Sequence, residues 1–169
     1  METKPVLGTL NRENAQLAVK DKKAVADALN RILQMELAGT VLYTHYALVV
    51  CGNDCLPFIK WLEGQADESL RHAKTAGSLL TQLGAHPSLG IAHVSEIEHE
   101  DTNSILRASL AFEKTALSHY VTLLEMVQGD TNAMLEEYAR QHVYLEMQHI
   151  GEIEKMLRRP GDLKKYEAA

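Results

Sequence analysis

Apolar residues recur at every third or fourth position over four long stretches of the chain, the spacing that lines one face of an α-helix. In the first stretch, from about Asp21 to Cys51, Leu29, Ile32, Leu33, Leu37, Val41, Leu42 and Leu48 keep this rhythm. Gly52-Asn53-Asp54 interrupts it. Asn53 or Asp54 can cap a second helix over about Cys55 to Leu83, with Pro57 tolerated in its first turn. Gly84 and Pro87 end that helix, and the stretch from Ala85 to His99 is too long for a tight helical hairpin, so it reads as a crossover. A third helix is expected over about Thr102 to Gln128 and a fourth over about Asn132 to Arg158, with Gly129-Asp130-Thr131 supplying the break and an N-cap. Pro160-Gly161 closes the last helix. Two short turns around one long connection predict an all-α antiparallel four-helix bundle of two hairpins. The bundle spans 21–159, between an N-terminal extension (1–20) and a short tail (160–169).

Composition narrows the picture further. The 169 residues suit one domain, aromatics are 5% and prolines number four, in keeping with an all-helical chain. Seventeen basic against 23 acidic residues give a net charge of -6, with no basic block, so nucleic acid is not expected as a partner. No apolar run approaches the roughly 18 residues of a membrane-spanning helix, and none is expected. The opening Met1 to Pro5 has no apolar signal core, and only Cys51 and Cys55 carry thiols, so a cytoplasmic, reduced protein is expected. These two cysteines, four apart in a turn, can ligand a metal or form a redox switch, but their spacing is not Cys-x-x-Cys and thiols at helix ends are commonly packing groups.

The chemistry lies in a repeated spacing. Glu36 on the first helix and His72 on the second are 36 residues apart, and Glu113 on the third and His149 on the fourth are again 36 apart. Antiparallel neighbours meet at one level when they lie equally far from their turn. The midpoints, Asp54 and Thr131, fall in the two turns located from Gly and capping residues. Glu146 stands three before His149, on the same helix face. The neighbourhoods Leu33 to Ala38 and Leu110 to Glu113 are apolar, so these carboxylates are expected to be buried. Buried carboxylates must be paired, protonated or bound to a cation, and Arg71 is the one basic residue at this level. A solvated helix face is the common fate of one glutamate, but it does not explain a doubled spacing. The pattern points to a metal held by Glu36, His72, Glu113, Glu146 and His149.

At Met35-Glu36-Leu37, Glu68 to Ala73, Arg107 to Glu113 and Glu146 to His149 the sequence resembles the bacterioferritins of the ferritin-like di-iron carboxylate superfamily, over about Val25 to Leu157. The resemblance implies a two-iron centre at which dioxygen or peroxide oxidises Fe(II) before mineral storage. Glu36 and Glu113 would then be terminal ligands, His72 and His149 the imidazoles and Glu146 a bridge. Position 69, where the half-repeat calls for a second bridging carboxylate, is serine, and Glu68 one residue earlier is the candidate substitute or else a surface residue. The family's haem-ligating methionine aligns with Leu70, so haem bound in the family manner is not expected. The tail is shorter than the family's fifth helix, which lines a shell channel. A homo-oligomer, at least a dimer built on helices one and two, is expected, with the cage left open.

Tyr43 and Tyr120 each lie seven residues after a site glutamate. Either can lend an electron, the resemblance favouring Tyr43, or else each is a packed aromatic with a bonded hydroxyl. His142, four before Glu146, is a candidate to orient a ligand. His86, His93 and His99 share the crossover with Glu96, Glu98, Glu100 and Asp101, a group that can attract cations or be a solvated acidic loop. Mixed oxygen and nitrogen donors suit iron, with manganese chemically compatible. Three functions fit: a ferroxidase for iron storage or detoxification, an oxidase or oxygenase acting on a small organic substrate, and a relic without metal.

Overall fold

The structure, a computed structural model, describes residues 19–52, 55–97, 101–129, 132–164 and 166. Among these residues there are four α-helices in chain order: α1 Lys22–Val49, α2 Cys55–Gln82, α3 Thr102–Val127 and α4 Ala133–Met156. Side-chain oxygens of Asp21, Asp101 and Asn132 accept the first free amides of α1, α3 and α4, from Ala24, from Asn103 and Ser104, and from Leu135. Asn132 is thus the cap of α4 and not its first helical residue. The other expected caps, Asn53, Asp54, Asp130 and Thr131, lie outside the described residues, as do residues 1–18 and His99. Gly84, at φ +68, stops α2 in a left-handed conformation that lets the Ala85 amide donate back to the Leu80 carbonyl.

Helix α1 packs on α2, α3 on α4, and the two hairpins meet through α1 and α3. Among the described residues, Cα atoms of α2 and α4 do not come within 8 Å of each other, which leaves room between them for long side chains. The crossover lies along α1. Ser88 donates its amide to Asn30, Gln34 donates to Ser88 Oγ, and the Ala92 amide donates to the Gln34 carbonyl.

The apolar core falls into two main slabs. One gathers Leu29, Ile32, Leu80, Leu123 and Leu135; the other gathers Leu42, Tyr46, Leu62 and Ile105. Each fully buried Leu or Ile contributes about 1.5–3 kcal/mol. Between the slabs every helix carries a buried polar group: Glu36, then Ser69 and His72, then Glu113, then Glu146.

Two positions of the expected α1 stripe do not join the core. Val41 is 51% exposed and Leu48 80%, with Leu56 of α2 at 74%. Periodicity marks residues that share a face, but α1 is apolar on two faces, and only one meets α2 and α3. Among the described residues, no helix is long and apolar enough to cross a membrane.

Candidate metal centre

Glu36 and Glu113 occupy the core stripes of α1 and α3, where the preceding turns place Leu29, Ile32 and Leu33, and Ile105, Leu106 and Leu110. The helical period that buries those residues therefore buries the carboxylates as well. From α2 and α4, His72 and Glu146 point into the same layer, while the His149 side chain is 12% exposed.

The six residues expected at the site divide in an informative way. One ligand atom each from Glu36, His72 and Glu146 lies within 4.8 Å of the others, and the same holds for Glu113, Glu146 and His149. These are the two such groups among the described residues, so the acidic crossover forms none there. Glu146 belongs to both. Its Oε1 lies 4.0 Å from His72 Nδ1 and its Oε2 3.7 Å from His149 Nδ1. Glu36 Oε1 is 3.4 Å from His72 Nδ1, and Glu113 Oε2 is 3.8 Å from His149 Nδ1.

Glu68 stands elsewhere. Its oxygens face the opposite ring nitrogens, 3.6 Å from His72 Nε2 and 3.4 Å from His149 Nε2, and Arg71 Nη2 donates to it at 2.5 Å. Arg71 is thereby turned to the surface and neutralises none of the three buried carboxylates.

Tyr43 and Tyr120 reach across the hairpins. Tyr43 of α1 donates to Glu113 of α3, and Tyr120 of α3 donates at 2.6 Å to Glu36 of α1. Burial, with a carboxylate beside each hydroxyl, pushes both phenols well above their usual range. His142 donates from Nδ1 to the Tyr138 carbonyl and packs its ring on Tyr120, Tyr138 and His72, with centroids 4.9, 4.2 and 4.6 Å away. Burial lowers it to about 4, so it is neutral at pH 7 and its Nε2 carries no proton to donate to a ligand. Tyr138, not singled out from sequence, completes this aromatic wall, and its place four residues before His142 was the available signal.

Electrostatically the cluster is short of cations. Burial raises Glu146 strongly, with Glu113 and Glu36 adding to the rise. Burial opposes charge on His149, yet Glu113 and Glu146 outweigh it and raise His149 to about 10. Burial also opposes the charge of Glu113, but the neighbouring His149, Glu146 and the Tyr43 hydroxyl together win and lower it. Without a metal, protons thus take up part of the negative charge. Glu146 Oε2 remains buried with no hydrogen-bond donor. An orphaned carboxylate oxygen shared by two oxygen-nitrogen groups fits divalent transition-metal ions such as iron or manganese.

At position 69, Ser69 Oγ would lie 2.7 Å, and Phe112 Cζ 3.0 Å, from a Cβ placed on Gly39. Glycine at position 39 leaves room for the Ser69 hydroxyl of α2 and the Phe112 ring of α3 beside the site.

Comparison with known proteins agrees with this architecture. Solved structures similar to the chain include a ferritin-like, diiron-carboxylate protein from Bacillus anthracis str. Ames (TM-score 0.78, 20% identity, 83% of this chain and 100% of that one). Another is a dodecameric thioferritin, the bacterioferritin-related protein from Bacteroides fragilis (TM-score 0.75, 22% identity, 81% of this chain and 86% of that one). A search of the curated proteins finds no match. Residues 26–160 match the ferritin family, described as a ferritin-like domain, and the chain therefore belongs to that family.

Proposed function

We propose that the buried layer binds two iron ions and that the protein oxidises Fe(II) with dioxygen or peroxide, for iron storage or detoxification. The observation that carries this reading is Glu146, a member of both groups, whose Oε1 faces His72 Nδ1, whose Oε2 faces His149 Nδ1 and whose Oε2 has no hydrogen-bond partner. Glu36, His72 and Glu146 would hold one ion, and Glu113, Glu146 and His149 the other. Two Fe(II) give up one electron each; dioxygen takes both with two protons to become hydrogen peroxide, or peroxide takes them to become water. Carrying dioxygen all the way to two waters takes two electrons and two protons more, and Tyr43, fully buried between Trp61 and Phe112 and bonded to Glu113, is the proposed source of one of those electrons, a third Fe(II) giving the other.

The wider setting follows from the same reading. Val41, Leu48 and Leu56 expose apolar surface on the α1/α2 face, which supports a homo-oligomer, and the dodecameric Bacteroides fragilis relative supports it further. Cys51 and Cys55 are free thiols, in keeping with a cytoplasmic protein.

Ser69 favours a second reading, an oxidase acting on a small organic substrate with an altered metal site. The contact of Ser69 and Phe112 around Gly39 leaves little room for substrate at that point. Metal analysis of protein purified without added iron, followed by Fe(II) loading in air and sizing of the product, separates the readings. Accumulation of many irons per chain in a large particle supports storage. A small oligomer that turns over iron without retaining it defeats storage, and protein that takes up no metal defeats both.

A further inference from the structure

Glu68 is a partly exposed carboxylate, 24% accessible, on the surface side of two buried imidazoles. His72 and His149 turn their Nδ1 atoms inward, toward Glu36, Glu113 and Glu146, and their Nε2 atoms toward Glu68. The Glu68 oxygens divide between them, Oε1 lying 3.6 Å from His72 Nε2 and Oε2 3.4 Å from His149 Nε2. Arg71 fixes the carboxylate by donating to Oε1 at 2.5 Å. A neutral imidazole carries one N–H and one lone pair, and a hydrogen bond to one nitrogen decides which nitrogen is left to bind a metal.

We propose that Glu68 is a positioning residue shared by both histidines. One oxygen accepts the Nε2 proton of each ring, so that both Nδ1 lone pairs face the metal positions. The inference rests on the two-metal reading above and gives Glu68 a part distinct from that of a direct ligand. It also connects with the serine at position 69. The chain lacks a carboxylate there, and one residue earlier it carries a carboxylate that steadies two ligands at once.

Arg71 makes the arrangement asymmetric, and this yields a specific test. In Glu68→Gln the amide oxygen stays with the Arg71 donor, on the His72 side. The amide NH2 then faces the Nε2–H of His149, donor against donor. His149 loses its acceptor while His72 keeps one.

The experiment titrates metal-stripped wild type, Glu68→Gln and Glu68→Ala with zinc by calorimetry. Nitrogen-15 NMR of the histidine rings is recorded on the zinc-loaded forms. Wild type is expected to bind two zinc ions per chain, with both Nε2 protons resolved. Glu68→Gln is expected to keep one site and the His72 proton, while the other site weakens about 10–100-fold. Glu68→Ala weakens both, and matching circular dichroism of the metal-free forms verifies that each variant folds. Two sites of unchanged affinity in Glu68→Gln would overturn the inference. So would equal weakening of both with both Nε2 protons unchanged, which is the behaviour of a direct ligand. Wild type that binds no zinc would overturn the two-metal reading itself, and this inference with it.

Discussion

The hydroxyl of Tyr43 on α1 donates to Glu113 on α3, across the boundary between the two hairpins. Tyr120 returns the bond from α3 to Glu36 on α1. Each hairpin therefore fixes the carboxylate of the other. These crossed bonds tie α1 to α3 and hold both carboxylates in place.

Replacing Tyr43 by Phe keeps the ring among Trp61 and Phe112 but leaves Glu113 without that donor. The metal-free protein is expected to lose about 1.5–3 kcal/mol, the usual cost of removing a hydrogen bond to a charged group. Urea denaturation measures the loss. Zinc binding should persist at two ions per chain, whereas a tyrosyl radical formed on Fe(II) oxidation should disappear from the electron paramagnetic resonance spectrum. A Tyr43→Phe protein that retains that signal would move the electron donor elsewhere, Tyr120 first.

The pairing of Glu36 with His72 and of Glu113 with His149 was legible in the sequence because an antiparallel hairpin turns equal distances from a turn into equal height. The burial of these groups was legible too, since they sit within apolar stripes. The partner of each tyrosine was not. Seven residues place Tyr43 on the face of Glu36, but its hydroxyl reaches the carboxylate that hairpin packing brings opposite. Glu68 posed the same difficulty at finer scale, because helical angle puts it near His72 without saying which ring nitrogen it meets. Val41 and Leu48 share the helical rhythm of the core, and rhythm alone does not say which of two apolar faces turns inward.

The metal-free protein should be sensitive to alkali. His149 is raised from 6.5 to about 10, so its proton stabilises the fold fully below pH 6.5 and is lost as pH climbs toward 10. Glu146, raised by burial, acts in the same direction. On the acid side His142, lowered to about 4 by burial, adds stability as pH rises from 4 to 6.5. Thermal melts of stripped protein should be highest near pH 6 and fall between pH 6.5 and 10, by roughly 2–4 °C for each kcal/mol lost. Zinc-loaded protein should show a flatter alkaline limb, because the metal replaces those protons. Parallel alkaline limbs with and without zinc would count against metal binding at His149.

Ser69→Glu adds the carboxylate that the half-repeat lacks. With no metal, another buried acid beside Gly39 and Phe112 should cost about 1–3 kcal/mol. With metal present it should tighten binding of the pair. Opposite shifts in the melting temperature of stripped and loaded protein check both parts, and a loss in both states would mean that position 69 does not face the ions.

The central claim is that one residue serves two ions, and anaerobic Fe(II) titration of stripped protein tests it most directly. Wild type should bind two Fe(II) per chain, and Glu146→Ala, which removes the ligand common to both groups, should bind neither tightly. Two tightly held irons in Glu146→Ala, or none in wild type, would contradict the account.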